Sequence, residues 1–372
     1  MVTAGLGKRP MLSSAVFGDD EGMRPLRVFT WHVHGSYLLY LVQTPHEFFV
    51  PVRPGRPNPY GGLGGPFPWP SNVHEVPVEE IPGQEFDCIL FQRPEQYTRD
   101  QYEILSPAQR RLPRIFLEHD PPRESPTDTR HVVDDPEVLL VHVTHFNALM
   151  WDNGRTPTRV IEHGVMVPEH VRHTGDLARG IVVINHLARR GRRLGRDVFE
   201  QVRSVVPLDL VGMGADELEG PGELPHDRLL EQVARYRFFF NPIRYTSLGL
   251  AVLEVMMIGV PIVGLATTEM VTTIENGVSG YLDTDVRRLV ERMRDLLADP
   301  SEARRLGEGA RRVARERFGI ERFAADWDAA IRLVTSTAQP HGASAASHAP
   351  VASAIPGEHD LTTNLSQESA RA

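Results

Sequence analysis

The sequence predicts an α/β protein built from two Rossmann-like domains with parallel sheets. Three observations predict it. Short apolar runs alternate with helix-length segments along most of the chain, and that alternation gives parallel strands joined by right-handed crossovers. A length of 372 residues suits two or three domains. Residues 238–265 spell out one strand–loop–helix–strand unit, the repeating module of such sheets.

Residues 1–24 are mixed and aperiodic and read as a flexible tail. The first domain spans 25–167. It opens with a strand at 27–30, a loop at 31–36 and an apolar helix or strand at 37–42. Residues 53–71 are crowded with Pro and Gly and make a long irregular loop. Residues 86–91 (FDCILF) read as a buried strand, 102–111 as a helix ended by Pro113, and 114–118 as the next strand. A strand at 139–143, a helix through Trp151 closed by Gly154, and a short strand at 160–161 complete the domain.

The second domain spans 168–335. Strand 181–184 leads into a basic loop at 185–196, a helix at 197–205, and strand 208–211 with Gly212-Met213-Gly214 behind it. Helix 227–234 precedes strand 238–240; helix 250–258 stops at Gly259-Val260-Pro261 and strand 262–265 follows. Helices 286–297 and 303–318 have Pro300-Ser301 between them as cap and start. An amphipathic helix at 323–334 can return to the first domain. Residues 336–372, rich in Ala, Ser, His, Pro and Thr, read as disordered.

A net charge of −9 argues against a nucleic-acid partner. Cys88 is the only cysteine, so neither an internal disulfide nor a cysteine zinc cluster is available. No signal peptide is read, and no apolar run reaches the roughly 18 residues of a membrane span. A cytoplasmic protein is expected, with peripheral attachment to the inner face of the membrane compatible with it. Lys8 is the only lysine among 40 basic residues, so a cationic grip on a ligand falls to arginine, whose fork matches phosphate geometry.

The most informative stretch is 238–283. Its strand breaks at Asn241-Pro242, a loop carries Ser247 and Gly249, and the next helix is apolar almost all round apart from Glu254. Such a unit aims a helix N-terminus at the carboxyl edge of a parallel sheet, where free amides and the helix dipole favour phosphate. A carboxylate on a helix without a polar face is costly unless it has partners. Two vicinal hydroxyls would suit it, because an ionised carboxylate only accepts hydrogen bonds. The plain alternative is a structural Glu favoured by the dipole.

Gly249, Glu254, Gly259-Val260-Pro261, Glu269-Met270-Val271 and the stretch ENGVSGYL at 275–282 occur in this order. The ordered set resembles the donor-nucleotide region of retaining glycosyltransferases with the GT-B fold, the large group-1 family whose signature is Glu, seven residues, Glu. The resemblance runs over about 178–335. It departs from the family at the first Glu, where this chain has Thr246. It implies a GT-B fold, two sheets facing across a cleft, with a nucleoside-diphosphate sugar on the second domain and the acceptor on the first. It implies no metal and no cofactor.

Carried over residue by residue, the resemblance makes Glu254 the ligand of the ribose hydroxyls. Ser247, Leu248, Gly249 and Leu250 form the helix start around the diphosphate. Gly212, Gly214 and Asn185 join the donor site, the two glycines alternatively being plain turn residues. Thr267 and Thr268 complete that side, and Gly35 matches the first-domain loop that lets backbone approach the donor. Among Arg189, Arg190, Arg192 and Arg193, where the family sets its cationic pair, Arg190 and Arg193 are assigned to the diphosphate; a solvated cluster is the alternative for the rest. His119, followed by Asp120-Pro121, is similar to the family's His-Glu-Pro and is expected near the transferred sugar, the alternative being a turn histidine. Thr246 there cannot act as a carboxylate but can exchange one hydrogen bond. His32 and His34, two apart and without a carboxylate nearby, do not read as a metal site. His163-Gly164-Val165 resembles the interdomain linker.

The function implied is retaining transfer of a sugar from a nucleoside-diphosphate donor to a glycan, lipid-linked or small-molecule acceptor, as in polysaccharide biosynthesis. In that family, departure of the diphosphate and attack by the acceptor occur on one face, and the protein stabilises the leaving charge. Two alternatives stand beside it: a GT-B nucleotide-sugar hydrolase or epimerase, and a catalytically silent nucleotide-sugar-binding partner, which Thr246 keeps open.

Overall fold

The computed structural model describes residues 24–65, 67–222, 224 and 226–337. Apart from Arg24 and residues 336–337, both expected tails lie outside them. The chain forms two wholly parallel sheets. The first has seven strands: β1 (Arg27–Thr30), β2 (Glu47–Val52), β3 (Val73–Pro77), β4 (Cys88–Phe91), β5 (Arg114–Glu118), β6 (Val138–His142) and β7 (Thr158–Val160), in the order β3-β2-β1-β4-β5-β6-β7. The second has five: β8 (Leu177–Val183), β9 (Leu208–Val211), β10 (Tyr236–Asn241), β11 (Ile262–Leu265) and β12 (Gly280–Asp283), in the order β12-β11-β10-β8-β9.

This order places the site. The chain winds outward from β1 to β3, then reverses and winds the other way from β4. In the second sheet the reversal falls between β8 and β10. At such switch points the loops beyond the strand ends splay apart and leave a crevice.

Several elements differ from expectation. Strands β2, β3 and β12 were not expected. In β2 the proline is accommodated because pairing with β1 runs only from Arg27↔Glu47 to Phe29↔Phe49, so Pro51 lies beyond it and faces only β3. The expected helix at 102–111 is broken into a π-helical turn (Gln96–Asp100), a short helix (Gln101–Ile104) and a 3-10 turn (Gln109–Arg111). Leu105 is extended just before Ser106-Pro107, where proline removes a donor and disfavours helix upstream. The basic loop holds a short helix, Leu187–Arg190, and a 3-10 turn, Gly191–Leu194. Helix Pro300–Arg317 starts earlier than expected because Asp299 accepts from Ser301 N and Glu302 N and Pro300 fits the first turn.

One apolar cluster runs through both lobes, joining Leu38, Leu41 and Val141 of the first to Leu253 and Met256 of the second and to Trp327. Trp327 lies on the final helix, Ile320–Thr337, longer at both ends than expected, and its Nε1 donates to Tyr37 Oη at 3.1 Å. Where the chain crosses between lobes, Arg317 pairs with Glu162, and Arg322 donates to the carbonyls of Glu162 and His163.

Candidate functional site

At the second-lobe switch point, the loops after β8 and β10 are joined. The amides of Arg244 and Tyr245 donate to Arg193 O at 3.1 and 3.3 Å, and Arg244 Nη1 donates to Arg192 O at 2.7 Å. Arg244 also bridges Asp197 at 2.6 Å and holds its carboxyl below the usual carboxylate range. Gly195 permits the contact. Its φ is +81°, and a Cβ there would lie 1.9 Å from Pro242 O, so only glycine fits.

This packing sorts the arginines. Arg192 pairs with Asp197 and Arg196 with Glu200. Arg189, Arg190 and Arg193 have no ion-pair partner among the described residues, and of these Arg190 and Arg193 are half-buried. Burial, and then the neighbouring Arg193, pull the Arg190 guanidinium below its ordinary value. Asp120 acts on Arg190 in the opposite sense, but neither arginine has a salt bridge among the described residues, and two crowded cations at a sheet's carboxyl edge favour an anion.

Beside them a cavity is lined by Thr246, Ser247, Leu248, Gly249 and Thr268, among others. Gly249 caps helix Leu250–Ile258 with no side-chain hydrogen bond, and the buried Ser247 Oγ has no partner. Gly249 has an extended backbone (φ −76°), and a Cβ there would touch nothing. Neither backbone conformation nor crowding therefore requires glycine at this position. Thr267 is occupied, its hydroxyl donating to Ile243 O at 2.8 Å. Thr246 Oγ makes no hydrogen bond within the described residues. Asn185, Gly212 and Gly214 gather at the ends of β8 and β9. Asn185 Oδ1 accepts from Met213 N at 2.9 Å, and both glycines have positive φ beside Asn185 and His186.

Glu254 is buried on that helix but is not among the cavity's lining residues. Its Oε1 accepts from Tyr40 Oη of the first lobe at 2.5 Å, and the carboxylate raises the tyrosine's pKa further, after burial. The other motif carboxylate, Glu269, likewise reaches across: Oε2 accepts from Phe146 N at 2.8 Å and Oε1 from Thr272 Oγ1 at 2.6 Å. Both carboxylates thus satisfy first-lobe donors, a role the sequence did not disclose.

On the first lobe, His119 follows β5. Its backbone carbonyl accepts from Asn147 Nδ2, and the next carbonyl, of Asp120, accepts from Trp151 Nε1. The His119 ring lies edge-on to His34 and Tyr37, with centroids at 4.6 and 4.9 Å. Burial first, then nearby His34, hold it well below the ordinary imidazole value, so it is neutral. Burial lowers His34 as well, and His163 to about 4 despite its bond to the Leu248 backbone. Gly35 begins helix Gly35–Leu41 against Phe67, while His32 Nδ1 lies 2.9 Å from Gly62 O. Sequence reasoning missed Tyr40, Gln92 and Arg244. Arg244 alone carried a signal, as a basic residue within the loop already singled out.

No match is found among curated proteins compared by sequence. Residues 214–313, within the second lobe, match the family described as Glycosyl transferases group 1. Solved structures resemble nearly the whole chain. Sucrose-phosphate synthase from Thermosynechococcus elongatus superposes with a TM-score of 0.61 at 16% identity, over 85% of this chain and 100% of that one. Anabaena HepE, solved with UDP and glucose, gives 0.60 at 12% identity over 83% and 100%. AviGT4, a glycosyltransferase of avilamycin A biosynthesis, gives 0.55 at 15% over 84% and 99%. At such identities the likeness is one of fold, and the fold is GT-B. Among the described residues no helix is long and apolar enough to cross a membrane.

Proposed function

We propose that this protein is a retaining glycosyltransferase that moves a sugar from a nucleoside diphosphate to a glycan, lipid-linked or small-molecule acceptor in the cytoplasm. The observation that carries the reading is the pair Arg190 and Arg193, half-buried without a salt bridge among the described residues, together with a helix start whose Ser247 hydroxyl is unpartnered. A diphosphate supplies the missing charge and acceptors. The space over Gly249 lets it approach the amides of Gly249 and Leu250. Glu254 takes the ribose hydroxyls with Tyr40 steadying one oxygen. Asn185, Gly212 and Gly214 form the platform for the base.

In the transfer step the acceptor oxygen bonds to the anomeric carbon as the bond to the β-phosphate oxygen breaks. Both events occur on one face, and the acceptor's proton passes to the departing phosphate. The arginines and amides hold the charge that builds on the diphosphate, and the reading needs neither metal nor cofactor. Thr246 stands near the sugar as a neutral hydrogen-bonding group, and neutral His119 faces it from the first lobe.

A thermal-shift screen against UDP, GDP, ADP, TDP and CDP and their sugars tests this. UDP comes first because HepE was solved with it. A ligand at 100 times its Kd stabilises by about 2.7 kcal/mol. Glu254→Ala should weaken the responding nucleotide by about 2–4 kcal/mol. No response to any nucleotide, or unchanged affinity in Glu254→Ala, removes the assignment. Thr246 favours one rival, a silent binding partner; tight binding without turnover over a broad acceptor panel would replace the reading with it.

A further inference from the structure

Gln92, the residue that ends β4's run into the first-lobe switch point, has every hydrogen bond fixed in direction. Its Nε2 lies 2.8 Å from Trp31 O, which can only accept, so the amide nitrogen must face that carbonyl. The same nitrogen lies 3.0 Å from Thr30 Oγ1, whose proton is committed to Leu90 O at 3.0 Å, so Thr30 accepts from Gln92. The amide oxygen is therefore turned to His119 Nε2 at 3.0 Å. Gln92 and Thr30 are both buried, and the amide nitrogen, the amide oxygen and the Thr30 hydroxyl each have a protein partner. An amide oxygen only accepts, so Nε2 must carry the ring proton.

We infer that Gln92 is a positioning residue that locks His119 as the Nε2–H tautomer, leaving Nδ1 as a hydrogen-bond acceptor toward the cleft. Nδ1 has no partner among the described residues and is not among the wholly buried unpartnered atoms, so it keeps some exposure. Such a nitrogen takes a hydroxyl and rejects an ionised phosphate oxygen, which has no proton to give. A hydroxyl, such as that of the sugar the resemblance already sets near His119, therefore fits this nitrogen, and the diphosphate does not. The hydroxyl's origin in a sugar rests on the function proposed above; the tautomer does not.

The test uses the full chain with 15N-labelled histidine, His119 being assigned by the signal lost in His119→Asn. A long-range proton–nitrogen spectrum of the native chain should show His119 with protonated Nε2 and bare Nδ1. Gln92→Glu keeps the acceptor and should keep that tautomer or add a second proton. Gln92→Met removes it and should give a mixture. An Nδ1–H signal in the native chain, or an unchanged tautomer in folded Gln92→Met, overturns the inference. In turnover, Gln92→Met should lower kcat about tenfold with nucleotide Kd unchanged. Absence of transfer in the native chain would overturn the proposed function, while the spectrum alone decides the tautomer.

Discussion

In the second lobe the loops after β8 and β10 are tied by charge: Arg244 bonds the Arg192 carbonyl and bridges Asp197, while Arg190 and Arg193 stand beside the tie without a salt bridge among the described residues. In the first lobe the loops after β1 and β4 are tied by neutral groups, Gln92 bonding Thr30 Oγ1 and Trp31 O. The histidines around that second tie, His34 and His119, are held neutral by burial. The same topological device therefore makes two different solvents. One edge of the cleft has excess positive charge and open amides and suits a leaving diphosphate. The other presents imidazoles held below their ordinary pKa, with Arg93, Asp120 and Arg123 near His34, and its neutral rings suit hydroxyls.

Removing the excess charge should break the contrast most. Arg190→Ala with Arg193→Ala should cost about 3–6 kcal/mol of nucleoside-diphosphate affinity by calorimetry. Melting temperature should barely move, since neither side chain has an ion pair to lose. Full affinity in the double variant would show that the charged edge is not the diphosphate site.

Acid should strain the first lobe's side of the contrast. His142 and His163 are buried with pKa values lowered to about 4, burial being the first cause in each. Between there and about 6.5 the unfolded chain binds more protons than the folded one, so stability falls as pH falls through that window. At pH 5.5 the two together should cost about 3 kcal/mol, seen as a lower denaturation midpoint. A midpoint flat from pH 7 to 5.5 would show these rings to be solvated.

Thr246→Val should have the smallest effect and sharpens the boundary between the two edges. If its hydroxyl serves the sugar, transfer falls by about 1 kcal/mol in transition-state terms while nucleotide affinity holds. A loss of nucleotide affinity instead would place Thr246 on the charged side.

The sequence by itself determined the parallel α/β class and the helix Leu250–Ile258 with its ending, because apolar periodicity and a Gly-Val-Pro stop are local signals. It also singled out Arg190 and Arg193 before any partner was known. It did not reveal β2 or β3, whose Pro, His and Glu blur the strand pattern until neighbouring strands are in place. Only the tertiary structure decided which arginines are spent on Asp197 and Glu200, that Glu254 and Glu269 answer donors of the opposite lobe, and that Gln92 faces His119. The last three of these pairings span 214, 123 and 27 residues of chain. A hydrogen bond depends on ångström distances between atoms, and no local propensity encodes which distant donor a buried acceptor will meet.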